Sequence, residues 1–239
     1  MAILSLQSVS KSFGALKVTQ DVSFDLQAGE ALGIIGPNGA GKSTLFNLIT
    51  GNIAPDQGRV LIDGRDVTRL PPMQRVAAGI GRSFQIPQPF GGLSVYENLL
   101  VAARFGGGVT AADAPAFCMD ILTRTGLADV AEKPSGGLPL LQRKRLELAR
   151  AMATKPRVIL LDEIAGGLTD AECVQLVATI KAIHAEGTAI IWIEHVLHAL
   201  NSVVERLMVL NFGRMLMIGE PDQVMASSEV KEIYLGIEA

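Results

Sequence analysis

The residues best suited to chemistry in this sequence form one glycine-rich stretch, residues 36–44, which reads GPNGAGKST. The apolar run 31–35 before it is typical of a buried strand, and the apolar spacing of residues 43–49 is typical of a helix. The glycines let consecutive backbone N–H groups point at a phosphate, and the helix N-terminus adds partial positive charge. Lys42 supplies a full charge near the β- and γ-phosphates, and Ser43 offers a hydroxyl to Mg²⁺. We therefore predict a site for a nucleoside triphosphate.

The stretch fits G-x-x-x-x-G-K-[ST], the Walker A or P-loop pattern. This pattern requires a strand before it and a helix after it, and the sequence indicates both. The alternative is a glycine-rich turn that matches by chance, which leaves the flanking strand and helix unexplained. We expect nucleotide contacts from the following residues of the stretch: Gly36, Asn38, Gly39, Ala40, Gly41, Lys42, Ser43 and Thr44.

Composition and charge narrow the class of protein. A chain of 239 residues can bury a full α/β core, and a formal net charge of −3 argues against a nucleic-acid partner, which favours a basic face. No uncharged apolar run approaches the roughly 18 residues of a membrane span, and no secretory signal is recognisable. Cys118 and Cys173 are too few and too far apart for a disulfide framework or a metal site. We expect a cytosolic protein that packs against a partner.

Strand and helix patterns alternate along the chain. Residues 3–9 and 22–26 alternate apolar and polar as half-buried strands do, and residues 157–163 form an apolar strand that ends in two carboxylates. A second buried strand, residues 189–193, is followed by Glu-His. This alternation predicts an α/β fold with a helical insert. The segments with helical spacing are residues 94–103, 116–126, 140–154 and 170–186.

With a Walker A stretch and an apolar strand that ends in Asp162 and Glu163, the sequence resembles the ATP-binding-cassette (ABC) ATPases from end to end. The resemblance implies that Asp162 holds Mg²⁺ through its water shell and that Glu163 polarises the attacking water. Gln85, in the stretch RSFQ, matches a glutamine that senses Mg²⁺ and the γ-phosphate, and His195 matches a histidine that contacts the γ-phosphate. The implied cofactors are ATP and Mg²⁺. The implied Mg²⁺ residues are Ser43, Gln85 and Asp162, and the implied catalytic residues are Glu163, His195 and Gln85.

The resemblance also implies an adenine site. Phe13 matches an aromatic residue that stacks on adenine, and Val18 is expected to add an apolar wall. Taken singly, Phe13 would be an ordinary surface aromatic and His195 a core histidine with its hydrogen bonds satisfied. Their order along the chain, together with the other motifs, favours the functional interpretation.

Within the family, the chain resembles the ATPase subunits of branched-chain amino acid uptake systems. The motifs that carry this similarity are IGPNGAGK, LFNLITG, LPP, GRSFQ and LSVYENL, and the RSFQ form favours the first of the two paired ATPases. The resemblance implies several partners: a second ABC ATPase, two transmembrane permease subunits and, indirectly, a periplasmic or extracellular substrate-binding protein. It places the chain on the inner face of the cell membrane as a peripheral subunit. The cargo itself follows only by analogy.

The family's signature motif departs from its pattern here. Residues 138–142 read LPLLQ where this branch has Leu-Pro-Tyr-Gly-x-Gln, so that Leu141 stands at the position of the signature glycine. The alternative is a four-residue insertion that makes residues 135–137, Ser-Gly-Gly, the true signature; we prefer substitution. A leucine there puts a side chain where the phosphate on the opposite subunit should approach, which favours a heterodimer with a distinct ATPase. Ile164 and Thr169 also depart from the usual Pro and Asp or Asn.

The resulting fold prediction is a P-loop NTPase (RecA-like) ABC ATPase core with an antiparallel β subdomain and a helical subdomain. Residues 1–239 are expected to form one ABC ATPase domain, with the core in 1–85 and 156–239 and the helical subdomain in 86–155. The predicted function is ATP hydrolysis that drives an importer. The alternatives are a nucleotide-gated dimerisation clamp with little hydrolysis, the ATPase of another transporter type, and an ABC ATPase of DNA maintenance or translation.

Overall fold

Two β-sheets organise residues 2–235, the part of the chain that the computed structural model describes. A four-stranded sheet has the order β2-β1-β4-β5 and is antiparallel throughout. A six-stranded sheet has the order β10-β9-β3-β8-β7-β6, and only β10 runs antiparallel to its neighbour. The strands are β1 (Ala2–Phe13), β2 (Leu16–Gln27), β3 (Ala31–Ile35), β4 (Gln57–Ile62), β5 (Arg65–Asp66), β6 (Ile80–Arg82), β7 (Val158–Asp162), β8 (Ala189–Ile193), β9 (Arg206–Asn211) and β10 (Arg214–Gly219).

The central strands of the larger sheet are apolar along their whole length because both of their faces are covered. Every residue of β3, β7 and β8 is buried, as expected of a parallel sheet between two layers. Alternate residues of β7 enter two different apolar cores: Ile159 and Leu161 pack on one face, and Val158 and Leu160 on the other. One core lies towards the helices, and the other lies between the two sheets and the first helix.

The helices connect these strands and fill the region between β6 and β7. Three of them, with a π-helical turn after the first, occupy residues 95–153, and no strand of the described chain falls within that range. The helices are α1 (Lys42–Thr50), α2 (Pro72–Ala77), α3 (Val95–Val101), α4 (Ala114–Arg124), α5 (Leu140–Ala153), α6 (Asp170–Ala185), α7 (Leu197–Asn201), α8 (Pro221–Ala226) and α9 (Ser228–Leu235), and the π-helical turn is Ala102–Gly106.

The single tryptophan of the chain, Trp192, lies in β8 on the face that the helices cover. Its side chain is fully buried and pairs across the sheet with Leu161 of β7. Its indole Nε1 has no hydrogen-bond partner within residues 2–235. It therefore contributes to the core through apolar contact area alone.

The α/β fold predicted from the sequence is confirmed, with two differences of detail. The sequence of residues 11–14 predicts an exposed turn that carries an aromatic residue, but residues 11–13 complete β1, and the turn itself falls at Gly14 and Ala15. The helix expected over residues 94–103 widens into a π-helical turn after Val101. The division into 1–85, 86–155 and 156–239 stays a prediction, and residues 236–239 lie outside the described chain. Within residues 2–235, no helix has the length and hydropathy of a membrane span.

Candidate active site

The glycine-rich stretch connects the end of β3 to the start of α1, which begins at Lys42. Gly36 and Gly41 have positive φ angles of 154° and 100°. A Cβ on Gly36 would lie 2.2 Å from the carbonyl oxygen of Leu210, and one on Gly41 would lie 2.4 Å from that of Val18. No side chain fits at either glycine, so the loop is fixed by close backbone contacts. Its curvature brings the N-terminus of α1 to the mouth of a cleft.

Lys42 is held inside this loop. Its Nζ donates hydrogen bonds to the carbonyl oxygens of Gly36, at 2.6 Å, and Pro37, at 3.1 Å. Burial lowers the pKa of Lys42, while the nearby carboxylates of Glu163 and Asp162 raise it. The amine is therefore positioned before any phosphate arrives, with two negative groups that oppose the loss of its charge.

The cleft beside the loop has a volume of about 200 Å³. It contains seven of the eight residues predicted for the stretch, together with Val18 and Glu163. Gly36, the eighth, does not line the cleft but packs against the backbone of Leu210. Phe13 is not among the lining residues: its ring is half-exposed, with the Lys11 ammonium 5.6 Å from the ring centroid. Stacking of Phe13 on adenine therefore stays a prediction. The lining residues are Val18, Asn38, Gly39, Ala40, Gly41, Lys42, Ser43, Thr44 and Glu163.

Of the three residues predicted to be catalytic, Glu163 contacts both of the others. His195 Nε2 lies 2.9 Å from Glu163 Oε1, and Gln85 Nε2 donates to Glu163 Oε2. Glu163 follows β7, His195 follows β8 by two residues, and Gln85 follows β6 by three. Because these three parallel strands are adjacent in the sheet, their carboxyl ends bring the side chains together. The carboxylate of Glu163 is thus held from two sides at the edge of the phosphate cleft.

Glu163 also has an unusual backbone conformation, with a φ of 46°. Its N–H donates to the carbonyl oxygen of Ile193, at 2.8 Å, which continues the pairing of β7 with β8. A left-handed conformation at a residue with a side chain costs of the order of 1–3 kcal/mol, and it occurs where the surroundings impose it. Here it turns the chain sharply at the end of β7, so that consecutive carboxylates take different environments.

Asp162, the preceding carboxylate, is buried and paired. Its Oδ2 accepts from Arg82 Nη2 at 2.7 Å, and Arg82 Nη1 donates to Asn47 at 2.7 Å. The guanidinium of Arg82 lies between the rings of Phe46 and Phe84, with its Cζ 5.5 and 4.9 Å from their centroids. Asp162 is therefore fixed in place with a compensated charge.

The residues of the cleft fit a magnesium ion that arrives with a nucleotide. Within residues 2–235, no group of three or more His, Cys, Asp or Glu side chains could hold a metal by itself. Mg²⁺ is usually bound by one or two protein groups together with phosphate oxygens, and it favours oxygen ligands. Ser43 supplies a hydroxyl in the cleft, and Asp162 supplies a carboxylate. We therefore retain the predicted set of Ser43, Gln85 and Asp162 as a proposal.

Glu194 is a further residue of the site that was not predicted from the sequence, although a carboxylate directly after an apolar strand is a recognisable signal. Glu194 is buried and accepts from the N–H groups of Ala165, at 3.0 Å, and His195, at 3.1 Å. It therefore fixes both the loop after Glu163 and the backbone of His195. Arg82 and Lys144 were missed as well, because their partners are remote in the sequence.

The structure bears on the two interpretations of the signature motif. Helix α5 begins at Leu140, so that Leu140 and Leu141 lie in its first turn. Residues 135–137, in contrast, form a 3₁₀ turn. A hydrogen bond fixes this turn, because the Ser135 hydroxyl donates to the carbonyl oxygen of Phe90 at 2.9 Å. The helix N-terminus that a signature motif should offer thus carries leucines, which favours substitution over insertion.

The two departures after Glu163 have structural explanations. Ile164 is fully buried in the helix-side core. Thr169 is the N-cap of α6: its hydroxyl accepts from the N–H of Glu172, and the Glu172 carboxylate accepts in return from the N–H of Thr169. This arrangement is a capping box, which threonine forms as well as an acidic cap would.

Comparison with known proteins gives consistent matches. The family model for the ABC transporter matches residues 19–166. A probable ABC transporter ATP-binding protein of Azorhizobium caulinodans is 36% identical over 98% of this chain and 83% of its own length. The lipopolysaccharide export system ATP-binding protein LptB of Haemophilus influenzae is 32% identical over 99% of this chain and 98% of its own. The high-affinity branched-chain amino acid transport ATP-binding protein BraF of Pseudomonas aeruginosa is 32% identical over 98% of both chains.

The fold has close counterparts among solved structures. An ATP-binding cassette of an ABC transporter in its ADP conformation superposes with a TM-score of 0.88 and is 31% identical. The match covers 99% of this chain and 100% of that one.

Proposed function

Since the chain belongs to the ABC transporter family and hydrolyses ATP as the ATPase subunit of a transporter, we propose that it drives the import of branched-chain or related amino acids. The similarity to BraF over nearly the whole of both chains supports this cargo class. The stretches RSFQ and LSVYENL, which resemble the uptake branch, support it as well. The observation that carries the enzymatic part is the cluster of Gln85, Glu163 and His195 at the phosphate cleft.

In the proposed reaction, the Glu163 carboxylate accepts a hydrogen bond from the attacking water and takes its proton. The water oxygen bonds to the γ-phosphorus, and the bond from that phosphorus to the bridging oxygen breaks, which leaves ADP and phosphate. Gln85 and His195 hold the Glu163 carboxylate in position through the contacts described above. The loop N–H groups and Lys42 bind the phosphates. Ser43, Gln85 and Asp162 would hold Mg²⁺, which would supply neutralisation of phosphate charge when it is bound.

We further propose where the transmembrane subunits dock. A cleft of about 230 Å³ separates the larger sheet from the helical region, and Phe84 and Val76 lie in its wall. Three large apolar side chains that lie within three residues, along the chain, of residues that line this cleft are exposed: Met73 is 76% exposed, Ile86 70% and Phe105 89%. Apolar exposure concentrated beside a cleft is typical of a protein–protein contact. The cleft is continuous with the segment that carries Gln85, so a permease seated there could sense the state of the nucleotide site from the inner face of the membrane.

ABC ATPase subunits work as dimers with transmembrane components, and we propose that this chain pairs with a different ATPase. The nucleotide held by each subunit meets the signature helix of the other. This chain offers Leu140 and Leu141 in the first turn of α5, so the site on the partner's Walker A loop lacks the close backbone approach that glycine allows. A homodimer would have two such sites, whereas a heterodimer has one. In the intact transporter, a substrate-binding protein would deliver the cargo.

The second candidate is export in a system similar to that of LptB. Its support is direct: the H. influenzae LptB is as similar to this chain as BraF is, at 32% identity. The catalytic cluster and the docking cleft serve either direction of transport equally. The choice between the two rests on the uptake-branch stretches and on the experiment that follows.

The test is uptake of labelled leucine, isoleucine and valine by cells of the source organism. The Glu163→Gln variant replaces the chromosomal copy, and Glu132→Gln, an exposed glutamate, is the matched control. Uptake should fall to background in the first strain and remain at the parent level in the second. Unchanged uptake of all three amino acids in Glu163→Gln cells would contradict the import proposal. A loss of surface lipopolysaccharide in those cells would instead support the LptB-like alternative.

A further inference from the structure

Lys144 is a buried lysine that the reaction above does not use. It lies in the second turn of α5 with only 3% of its surface exposed. Its Nζ donates to the carbonyl oxygen of Gln85 at 2.7 Å and to that of Glu163 at 3.3 Å. One ammonium group therefore connects α5 to the backbone of two residues of the catalytic cluster.

Burial of this ammonium group costs free energy, and its hydrogen-bonding contacts are specific. Burial lowers the pKa of Lys144, while the carboxylates of Glu194, Glu163, Asp162 and Glu147 raise it. Within residues 2–235, Lys144 forms no salt bridge, so its hydrogen-bonding partners are the two carbonyl oxygens. A buried cation without a direct salt bridge is unfavourable for stability unless its hydrogen bonds and nearby carboxylates compensate. Packing alone would be served by an apolar residue of similar length.

Lys144 lies on the same face of α5 as a residue at the start of the helix, near the proposed subunit interface. Leu140 lies four residues earlier and therefore on the same face of the helix, at the end that meets the opposite subunit in the proposed dimer. Leu140 also packs on the loop after β7: a Cβ added to Gly167 would lie 3.3 Å from its Cδ2. A single turn of helix thus separates the edge that faces the partner from the group that holds Gln85 and Glu163.

We propose that Lys144 is a positioning residue that links engagement of the partner subunit at the start of α5 to the orientation of the Glu163 carboxylate. When the helix end moves against the partner's nucleotide, the ammonium carries the backbone of Gln85 and Glu163 with it. The inference rests on the proposed dimer, and it predicts that hydrolysis responds cooperatively to ATP. Lys144 is not among the residues that line the phosphate cleft, so its role is exerted through Gln85 and Glu163.

The test uses the full chain purified from its own host with its partner subunits through an affinity tag. Lys144→Met keeps the length and removes the donors, Lys144→Arg keeps the charge and the donors, and Arg145→Met is the matched control. Arg145 is the next residue of α5, and its side chain donates to Gln175, away from the cluster. We expect Lys144→Met to lower kcat about tenfold or more, since small displacements of catalytic groups have effects of this size. The affinity for ATP should stay within about twofold, and the Hill coefficient for ATP should fall towards one.

Rescue and non-additivity separate positioning from mere stability. Lys144→Arg should restore a large part of kcat and of the cooperativity, and Arg145→Met should behave as the parent does. In a Glu163→Gln background, Lys144→Met should lower the residual turnover no further, because its effect acts through Glu163. An additive loss in that background, or parent-like kcat and cooperativity in Lys144→Met, would overturn the inference.

If Lys144→Met fails to fold, Lys144→Arg is compared with the parent. Parent-like kinetics of Lys144→Arg support the inference. An equal loss of turnover from Lys144→Arg in the parent background and in the Glu163→Gln background contradicts it. A parent assembly that releases no phosphate would contradict the proposed function and not the role of Lys144.

Discussion

At the scale of single residues, the site is organised around the carboxylate of Glu163, which both Gln85 and His195 contact. Two donors on one carboxylate restrict its rotation, so it is oriented before the nucleotide enters. Asp162 next to it is held by Arg82 and faces a different environment. Adjacent acidic residues can take distinct roles when the backbone turns between them, and the left-handed φ of Glu163 provides that turn.

Glu163→Gln should separate binding from chemistry. The amide keeps the shape of the side chain but cannot accept the proton of the attacking water, so phosphate release should fall by about a hundredfold or more. The affinity for ATP, measured by titration calorimetry, should change little. Glu132→Gln, at the surface, should leave both quantities as in the parent. Turnover at the parent rate in Glu163→Gln would move the catalytic role to another residue.

Lys42→Ala should affect binding first. The substitution removes a charge that pairs with phosphate oxygens, a strong class of hydrogen bond. It also removes the two contacts of the lysine with its own loop. We expect the Kd for ATP to rise about tenfold or more, which corresponds to about 1.4 kcal/mol. Lys133→Ala, an exposed lysine, serves as the control, and an unchanged Kd in Lys42→Ala would refute the assignment of the phosphate loop.

At the scale of secondary-structure elements, the start of α6 shows how the loop after the catalytic glutamate is fixed. The capping box between Thr169 and Glu172 satisfies N–H groups at the N-terminus of that helix. Glu194 holds the same loop from the other side through Ala165. Both ends of the segment between β7 and α6 are therefore anchored, which keeps Glu163 in a constant orientation relative to β8.

Thr169→Ala should destabilise the fold without altering the affinity for ATP. Loss of an N-cap hydroxyl typically costs about 1 kcal/mol, or about 2–4 °C in Tm for a chain of this size. Thr169→Asp retains an acceptor and should melt close to the parent. Thermal unfolding followed by circular dichroism measures both. A Tm of Thr169→Ala equal to that of the parent would show that the cap contributes nothing.

The cap should also make stability depend on pH. The N–H and hydroxyl of Thr169 lower the pKa of the Glu172 carboxyl below its ordinary value of 4.5. Its stabilising effect is therefore complete above the pKa of the unfolded chain and is lost as the pH falls through the lower pKa of the folded state. The parent should be more stable than Glu172→Gln at neutral pH, and urea unfolding should show that the difference disappears in acid. A difference independent of pH would contradict the ionic contribution.

How far the sequence predicts this site depends on how local each signal is. The phosphate loop lies between its own strand and helix, so residues 36–44 could be identified directly. The meeting of Gln85, Glu163 and His195 depends on the order of three strands, which only the family resemblance supplied. Lys144 and Gln85 are 59 residues apart, and no pattern along the chain links them. When a buried cation contacts backbone carbonyl groups, the types of the partner residues give no signal. The sequence then shows only the charge of the lysine itself.

At the scale of the whole molecule, the consequence of the leucines at the start of α5 falls on the partner subunit. This chain's own nucleotide site contains the full predicted set of catalytic side chains. The site on the partner's loop would receive Leu141 in place of a glycine. Within the proposed heterodimer, the two ATP sites are therefore expected to differ in rate.

Leu141→Gly should raise hydrolysis at the partner's site and leave this chain's site unchanged. The leucine side chain keeps the backbone N–H of this position away from the phosphate, and losing one preorganised donor costs on the order of 3 kcal/mol in the transition state, or about a hundredfold in rate. Restoring the close backbone approach should therefore recover part of that factor. The sites are separated by assembling the variant with a partner that lacks its Walker A lysine or its signature glycine. Equal effects in both backgrounds, or brisk turnover by a homodimer of this chain, would contradict the asymmetry.

The buried tryptophan of β8 determines what spectroscopy can reveal about this protein. Trp192 is surrounded by the helix-side core and lacks a hydrogen-bond partner within residues 2–235, so its fluorescence should be blue-shifted and resistant to quenching by acrylamide. Its ring lies on the far side of the sheet from α1, among core residues and away from the residues that line the phosphate cleft. Intrinsic emission should therefore report unfolding of the core and remain nearly silent when ATP binds. An optical readout of nucleotide binding will need an added fluorophore near the cleft.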